Sequence, residues 1–179
     1  MLNFSIHQDQ RSLISLRRAG IDDNIIQGFV ICASDELVLL QYVYDFRLDG
    51  VMVLAVPDIT EVRCTATDMF QRTLLEAEGL IEQVPFGMSV NLQNWRSAVD
   101  DLANRYPLLI LECERQEEPD FVIGRVKEVA QDEVRLEYFS GAANWDEELV
   151  RLKYEEITSC QAGTHYTNIY QRHFERNAA

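Results

Sequence analysis

Residues 26–40 read IQGFVICASDELVLL, and residues 122–136 read VIGRVKEVAQDEVRL. Gly28 matches Gly124, and Val30 matches Val126. Asp35-Glu36 then aligns with Asp132-Glu133, followed by Leu37 and Leu39 in one copy and Val134 and Leu136 in the other. Farther on, Asp58-Ile59-Thr60 matches Glu156-Ile157-Thr158, and Thr67 to Arg72 (TDMFQR) matches Thr167 to Arg172 (TNIYQR). The order is kept while the offset drifts from 96 to 98 to 100, as small turn insertions would produce. The chain therefore reads as an internal duplication.

Working outward, β-branched and aromatic residues in short alternating runs predict five strands per copy. They fall near residues 12–18, 24–33, 36–44, 51–56 and 58–64, and again near 108–115, 121–129, 133–139, 148–153 and 156–161. Ser34-Asp35, Leu48-Asp49-Gly50 and Pro57-Asp58 read as the breaks between them. Gly28 and Gly124 sit inside strand patterns, where a glycine marks a bend or a close backbone approach. Five short strands bury their apolar faces by curling, and the expected fold is mainly β with accessory helices. It consists of two tandem five-stranded small barrels, each followed by a helix.

The first of those helices starts at Thr67 as N-cap, with Met69, Phe70, Thr73, Leu74 and Ala77 on its apolar side and Gly79 as its stop. The C-terminal helix carries Ile169, Tyr170 and Phe174. A further helix spans residues 91–105, where Leu92, Trp95, Val99 and Leu102 recur at helical spacing. The expected organisation is a first barrel plus helix in 1–81, a linker in 82–90, and a helix, second barrel and C-terminal helix in 91–179.

Composition narrows the function classes. The net charge is −14, with 6 Lys/Arg against 13 Asp/Glu in residues 1–90 and 10 against 17 in residues 91–179. Acidity spread over both copies repels phosphate backbones at long range, which makes nucleic acid an unfavoured partner. Cys32, Cys64, Cys113 and Cys160 form no CxxC pair, so neither a zinc cluster nor any other metal or cofactor is expected. MLNFSIHQDQ does not read as a signal peptide, and no apolar run approaches membrane-spanning length. The expectation is a soluble cytoplasmic protein with buried free thiols.

The strand, Gly, strand, Asp pattern resembles the first half of the Sm-like signature, a bent SH3-type barrel. The residues carrying it are Gly28, Val30, Asp35, Leu37 and Leu39, and again Gly124, Val126, Asp132, Val134 and Leu136. The segments SDELVLLQ, RLDGVMVL and DITEVR also resemble an uncharacterised bacterial family, which implies a tandem-barrel fold and no activity. An Sm-like RNA site has an Asn shortly after the Asp, where this chain has Leu39 or Leu136. It has Arg-Gly in its second motif, where this chain has Ile59-Thr60-Glu61 or Ile157-Thr158-Ser159. The RNA-contacting residues of that family are absent.

Several residues are candidate sites, and none is assigned a catalytic, cofactor-binding or metal-binding role. Gln71-Arg72 and Gln171-Arg172 present matched pairs suited to carboxylate or peptide contacts, or to local acids on a helix face. Trp145-Asp146 and Phe46 fall in corresponding barrel turns, either lining a groove or covering the barrel end. His165 and His173 lie by the last helix without a definable nucleophile. The acid runs at 114–118 and 146–148 read as solvated turns. The best expectation is a non-enzymatic protein-interaction or scaffolding module with a protein partner, or self-association, through a groove or strand edge. The alternatives are an Sm-like RNA-binding protein and an enzyme with a site between the barrels.

Overall fold

In the computed structural model, residues 3–118 and 120–177 are described. The chain divides into two units, Met1–Gln93 and Asn94–Ala179. The first contains α1 (Phe4–Asp9), β1 (Leu13–Arg17), β2 (Ile25–Ala33), β3 (Leu37–Tyr44), β4 (Arg47–Ala55), β5 (Glu61–Arg63) and α2 (Ala66–Ala77). The second contains α3 (Trp95–Ala103), β6 (Leu109–Cys113), β7 (Asp120–Val129), β8 (Glu133–Phe139), β9 (Trp145–Lys153), β10 (Ser159–Ala162) and α4 (His165–Asn177). The segment read as a linker buries Val84 and Val90, and Phe86 meets Phe29 edge to face at 5.9 Å.

All ten strands are antiparallel and the sheet is open. The order is β5-β1-β2-β3-β4 in the first unit and β10-β6-β7-β8-β9 in the second. Two closed five-stranded barrels were expected, and that expectation fails. Closure requires the last strand to pair along both edges. β5 has three residues and β10 four, and within its unit each pairs with a single neighbour, β1 and β6 respectively. A helix does part of the work that closure would have done. Phe4 of α1 is buried in one cluster with Ile14, Leu16, Val30, Leu40 and Met52. In the second unit α3 packs on β7 and buries Val99 and Leu102. Helix α1 escapes sequence reading because six residues are too few to show a helical period.

The duplication is visible in the backbone. Gly28 lies opposite Tyr42, and Gly124 opposite Tyr138. The β2–β3 ladder shifts register between Val30 and Cys32, the β7–β8 ladder between Val126 and Glu128. Both glycines stand where a second backbone presses in. A Cβ on Gly28 would lie 2.5 Å from the Gln41 carbonyl oxygen, and one on Gly124 closer still to that of Glu137.

These pairings correct the alignment of the turns. Ser34 N donates to Leu37 O at 2.8 Å, and Ala130 N to Glu133 O at 2.9 Å. Val56 N donates to Glu36 O, and Tyr154 N to Asp132 O. Glu36 thus corresponds to Asp132, and Val38 and Leu40 to Val134 and Leu136. The Asp-Glu match is therefore off by one residue. Leu37, Val38, Leu39 and Leu40 are all buried, so β3 is apolar on both faces and alternation does not set its register. The turn between β3 and β4 is likewise Asp45-Phe46, both at positive φ, while Gly50 (φ 72°) lies inside β4.

Candidate functional site on the first unit

Helix α2 begins with a reciprocal cap. Thr65 is its N-cap, not Thr67, and Asp68 three residues on completes a capping box. The Asp68 carboxylate is almost wholly buried. Oδ2 accepts from Thr65 N and Thr65 Oγ1, both at 2.7 Å. Oδ1 accepts from Ser15 Oγ at 2.6 Å and Gln27 Nε2 at 3.0 Å. Burial pushes the Asp68 carboxyl up, but the hydrogen bonds from Ser15, Thr65 and Gln27 outweigh it and hold it below its ordinary value. Gln27 Nε2 also donates to Gln71 Oε1 at 2.6 Å.

A groove of about 310 Å³ opens beside this network. Its floor is two rows of side chains across three strands: Arg63, Ser15 and Gln27, then Glu61, Arg17 and Ile25. Thr67 and Gln71 of α2 form its wall. Glu61 pairs with Arg63 and lies 3.9 Å from Arg17.

The opposite side of α2 is apolar and faces outward. Phe70 is 64% exposed, Met69 56% and Leu74 38%. Phe46 lies exposed by the end of this face and shares a 260 Å³ hollow with Leu74, Ala77 and Leu80. The side expected to face the core is therefore the open one, while the helix buries Asp68 and Leu75. Periodicity located the stripe. Only packing could say which stripe turns inward, because a carboxylate that accepts four hydrogen bonds can be buried, and two of those donors, Ser15 and Gln27, are distant in the sequence.

The second unit treats the same position differently. Thr164 takes the place of Thr65: Thr167 N donates to Thr164 Oγ1 and Asn168 N to Thr164 O. Thr167 thus corresponds to Asp68, and Tyr170 to Gln71. The two Gln-Arg pairs are consequently not equivalent. Gln71 joins the Asp68 network and Arg72 Nε donates to Arg11 O, whereas Gln171 donates to Glu175 and Arg172 is exposed. Where the first unit has Ser15 and Gln27, the second has Ile110 and Ile123, both buried. Tyr170 and Phe174 pack there with Phe139 and Trp145, with ring centroids 4.5–5.1 Å apart around Phe139 and Trp145. Trp145 belongs to this cluster, and Arg125 stacks over its ring at 4.5 Å.

The remaining candidates stand apart. His173 meets Asn177 on an exposed helix face. Cys113 and Cys160 are buried; burial pushes the Cys113 thiol up to about 11 and Cys160 higher. Among the described residues, no three His, Cys, Asp or Glu side chains are placed to hold a metal ion, and no helix is long and apolar enough to cross a membrane.

No family model, curated protein or solved structure matches this chain. The likeness to the Sm-like signature therefore rests on the quoted residues alone, and the functional reading rests on the geometry of this surface.

Proposed function

We propose that the chain is a non-enzymatic protein-interaction module that docks a partner on the outward face of α2. The observation that carries this is the inverted helix: Met69, Phe70 and Leu74 are exposed while an aspartate is buried. Leaving large apolar side chains grouped in water forgoes about 1.5–3 kcal/mol for each one that burial would recover. Grouped exposed apolar residues are the usual mark of an interaction surface. The partner contributes an apolar segment flanked by Lys or Arg. Glu78 borders the face, Glu76 beside it is paired with Arg72 at 3.1 Å, and the chain as a whole carries −14. Such a field speeds encounter with a basic partner.

The test places a photo-crosslinking residue at position 70 and, as a control, at exposed Gln131. In cells, position 70 should capture one discrete partner that Gln131 does not. The purified partner should then bind the wild-type chain and lose affinity at least about tenfold with Phe70→Glu. Equal crosslinking at both positions, or capture only of a second copy of this chain, would overturn the reading.

A further inference from the structure

We propose that the groove between β5, β1, β2 and the start of α2 is a binding site for a small carboxylate with an apolar body. It lies on the side of α2 that faces the sheet and is independent of the outward apolar face. The fold accepts an apolar, packed version of this position, because the second unit places buried Ile110 and Ile123 there with half-buried Tyr170 against them. The first unit instead holds Ser15, Gln27, Asp68 and Gln71 and keeps an open space of about 310 Å³, near the lower end for ligand pockets. Stability alone favours the packed version, since burying polar groups returns little net free energy even when every one is bonded. A local departure of this kind is characteristic of functional positions.

The lining sets the ligand chemistry. Glu61 lies between two arginines, so the Arg17–Glu61–Arg63 group carries one surplus positive charge. Arg63 is bound closely to Glu61. Arg17 is held loosely, at 3.9 Å from Glu61 and 3.5 Å from Asp23 O, and its guanidinium is the available partner for an anion. Asp68 is also ionised, so the four charged side chains of the lining sum to zero, but Asp68 sits against Ser15 and Gln27 with its oxygens filled by four hydrogen bonds, while Arg17 stands in the other row of the floor. Gln71 uses its oxygen toward Gln27, which keeps its Nε2 hydrogens for an acceptor in the groove. Half-exposed Ile25 supplies the apolar wall. The acidic field of the whole chain is screened beyond about 8 Å at physiological salt, whereas a guanidinium–carboxylate pair at contact is not. The carboxylate belongs either to a free small molecule or to the C-terminus of a peptide.

The probes are isovalerate, phenylacetate and a short peptide ending in Leu, each as free acid and as amide. Backbone amide NMR shifts of the full chain report binding. The acids should give saturable shifts centred on Ser15, Gln27 and Gln71, and the amides should not. Arg17→Gln should weaken the acids about ten- to hundredfold. The combined variant Ser15→Ile, Gln27→Ile, Asp68→Thr and Gln71→Tyr installs the second unit's residues and should abolish binding. Binding by the peptide acid alone assigns the carboxylate to a chain terminus; binding by all acids assigns it to small molecules. Amides binding as well as acids, no saturable shift up to about 10 mM, or unchanged affinity in Arg17→Gln would overturn the proposal. Should the fourfold variant fail to fold, Arg17→Gln decides alone.

Discussion

Thr60 and Thr158 set N and Oγ1 against the equivalent carbonyl oxygen in the two units. Thr60 donates from N and Oγ1 to Arg17 O, at 2.9 and 3.1 Å, and Thr158 N and Oγ1 stand in the same way 2.8 and 3.0 Å from Glu112 O, with Glu114 Oε2 a second acceptor for the hydroxyl at 2.6 Å. Each threonine follows a 3-10 turn, Val56–Asp58 or Tyr154–Glu156, and fastens the last short strand to the first.

The two threonines differ in burial, which predicts unequal costs. Both hydroxyls also accept a backbone N–H at 3.2 Å, Thr60 from Ala19 and Thr158 from Glu114, but Thr158 is fully buried whereas Thr60 is exposed. Thr158→Val strands a backbone donor at a buried site, where water cannot replace the lost acceptor, and should cost about 1–3 kcal/mol in urea unfolding. Thr60→Val should cost about 0.5 kcal/mol. Equal losses would show that burial does not set the cost of losing these bonds.

Asp68 makes stability depend on pH. Its folded-state value is lowered, so the folded chain binds the proton less readily than the unfolded one. The stabilisation is complete above the ordinary aspartate value, about 3.9, and is lost as pH falls through the lower folded value. Asp68→Asn should therefore lose about 1–3 kcal/mol at pH 7. The two urea-midpoint curves should converge in acid, and parallel curves from pH 7 to pH 2 would refute this role.

Gly28 and Gly124 should be irreplaceable by alanine. Each new Cβ would strike a carbonyl oxygen of the adjoining strand, and the backbone must shift to accept it. We expect losses of about 2–4 kcal/mol for each. Gly87→Ala and Gly141→Ala, with nothing within 4 Å, should unfold at the wild-type midpoint to within about 0.5 kcal/mol.

Phe46 holds a left-handed conformation at φ 59° in the two-residue β3–β4 turn. A primed turn of this kind favours glycine at that position. Phe46→Gly should raise stability by about 0.5–1 kcal/mol in thermal melts. The same variant should weaken crosslinking from position 70 if Phe46 belongs to the docking surface. Loss of stability would mean that the ring contributes more by packing than the backbone pays in strain.

Much of the fold was legible because it is written in local pattern. Strand positions follow from alternation and β-branched content, and Gly79 at φ 68° ends α2 where a helix-stopping glycine was expected. The duplication was legible because equivalent backbone positions demand equivalent residues, as Gly28 and Gly124 do. The failures share one cause. A doubly apolar β3 does not fix its own register, and a helix with Met69 and Phe70 on one side and Asp68 on another does not declare which side is inner.

The amino-acid order by itself determined ten strand-forming segments, the repeated unit and the acidic charge, because each depends on neighbours in the chain. Tertiary structure alone decided that the units stay open, that Asp68 rather than Phe70 turns inward, and that Ser15, Gln27, Asp68 and Gln71 meet. Those outcomes depend on which groups satisfy one another across 41–53 residues of sequence, a distance over which no local pattern carries information.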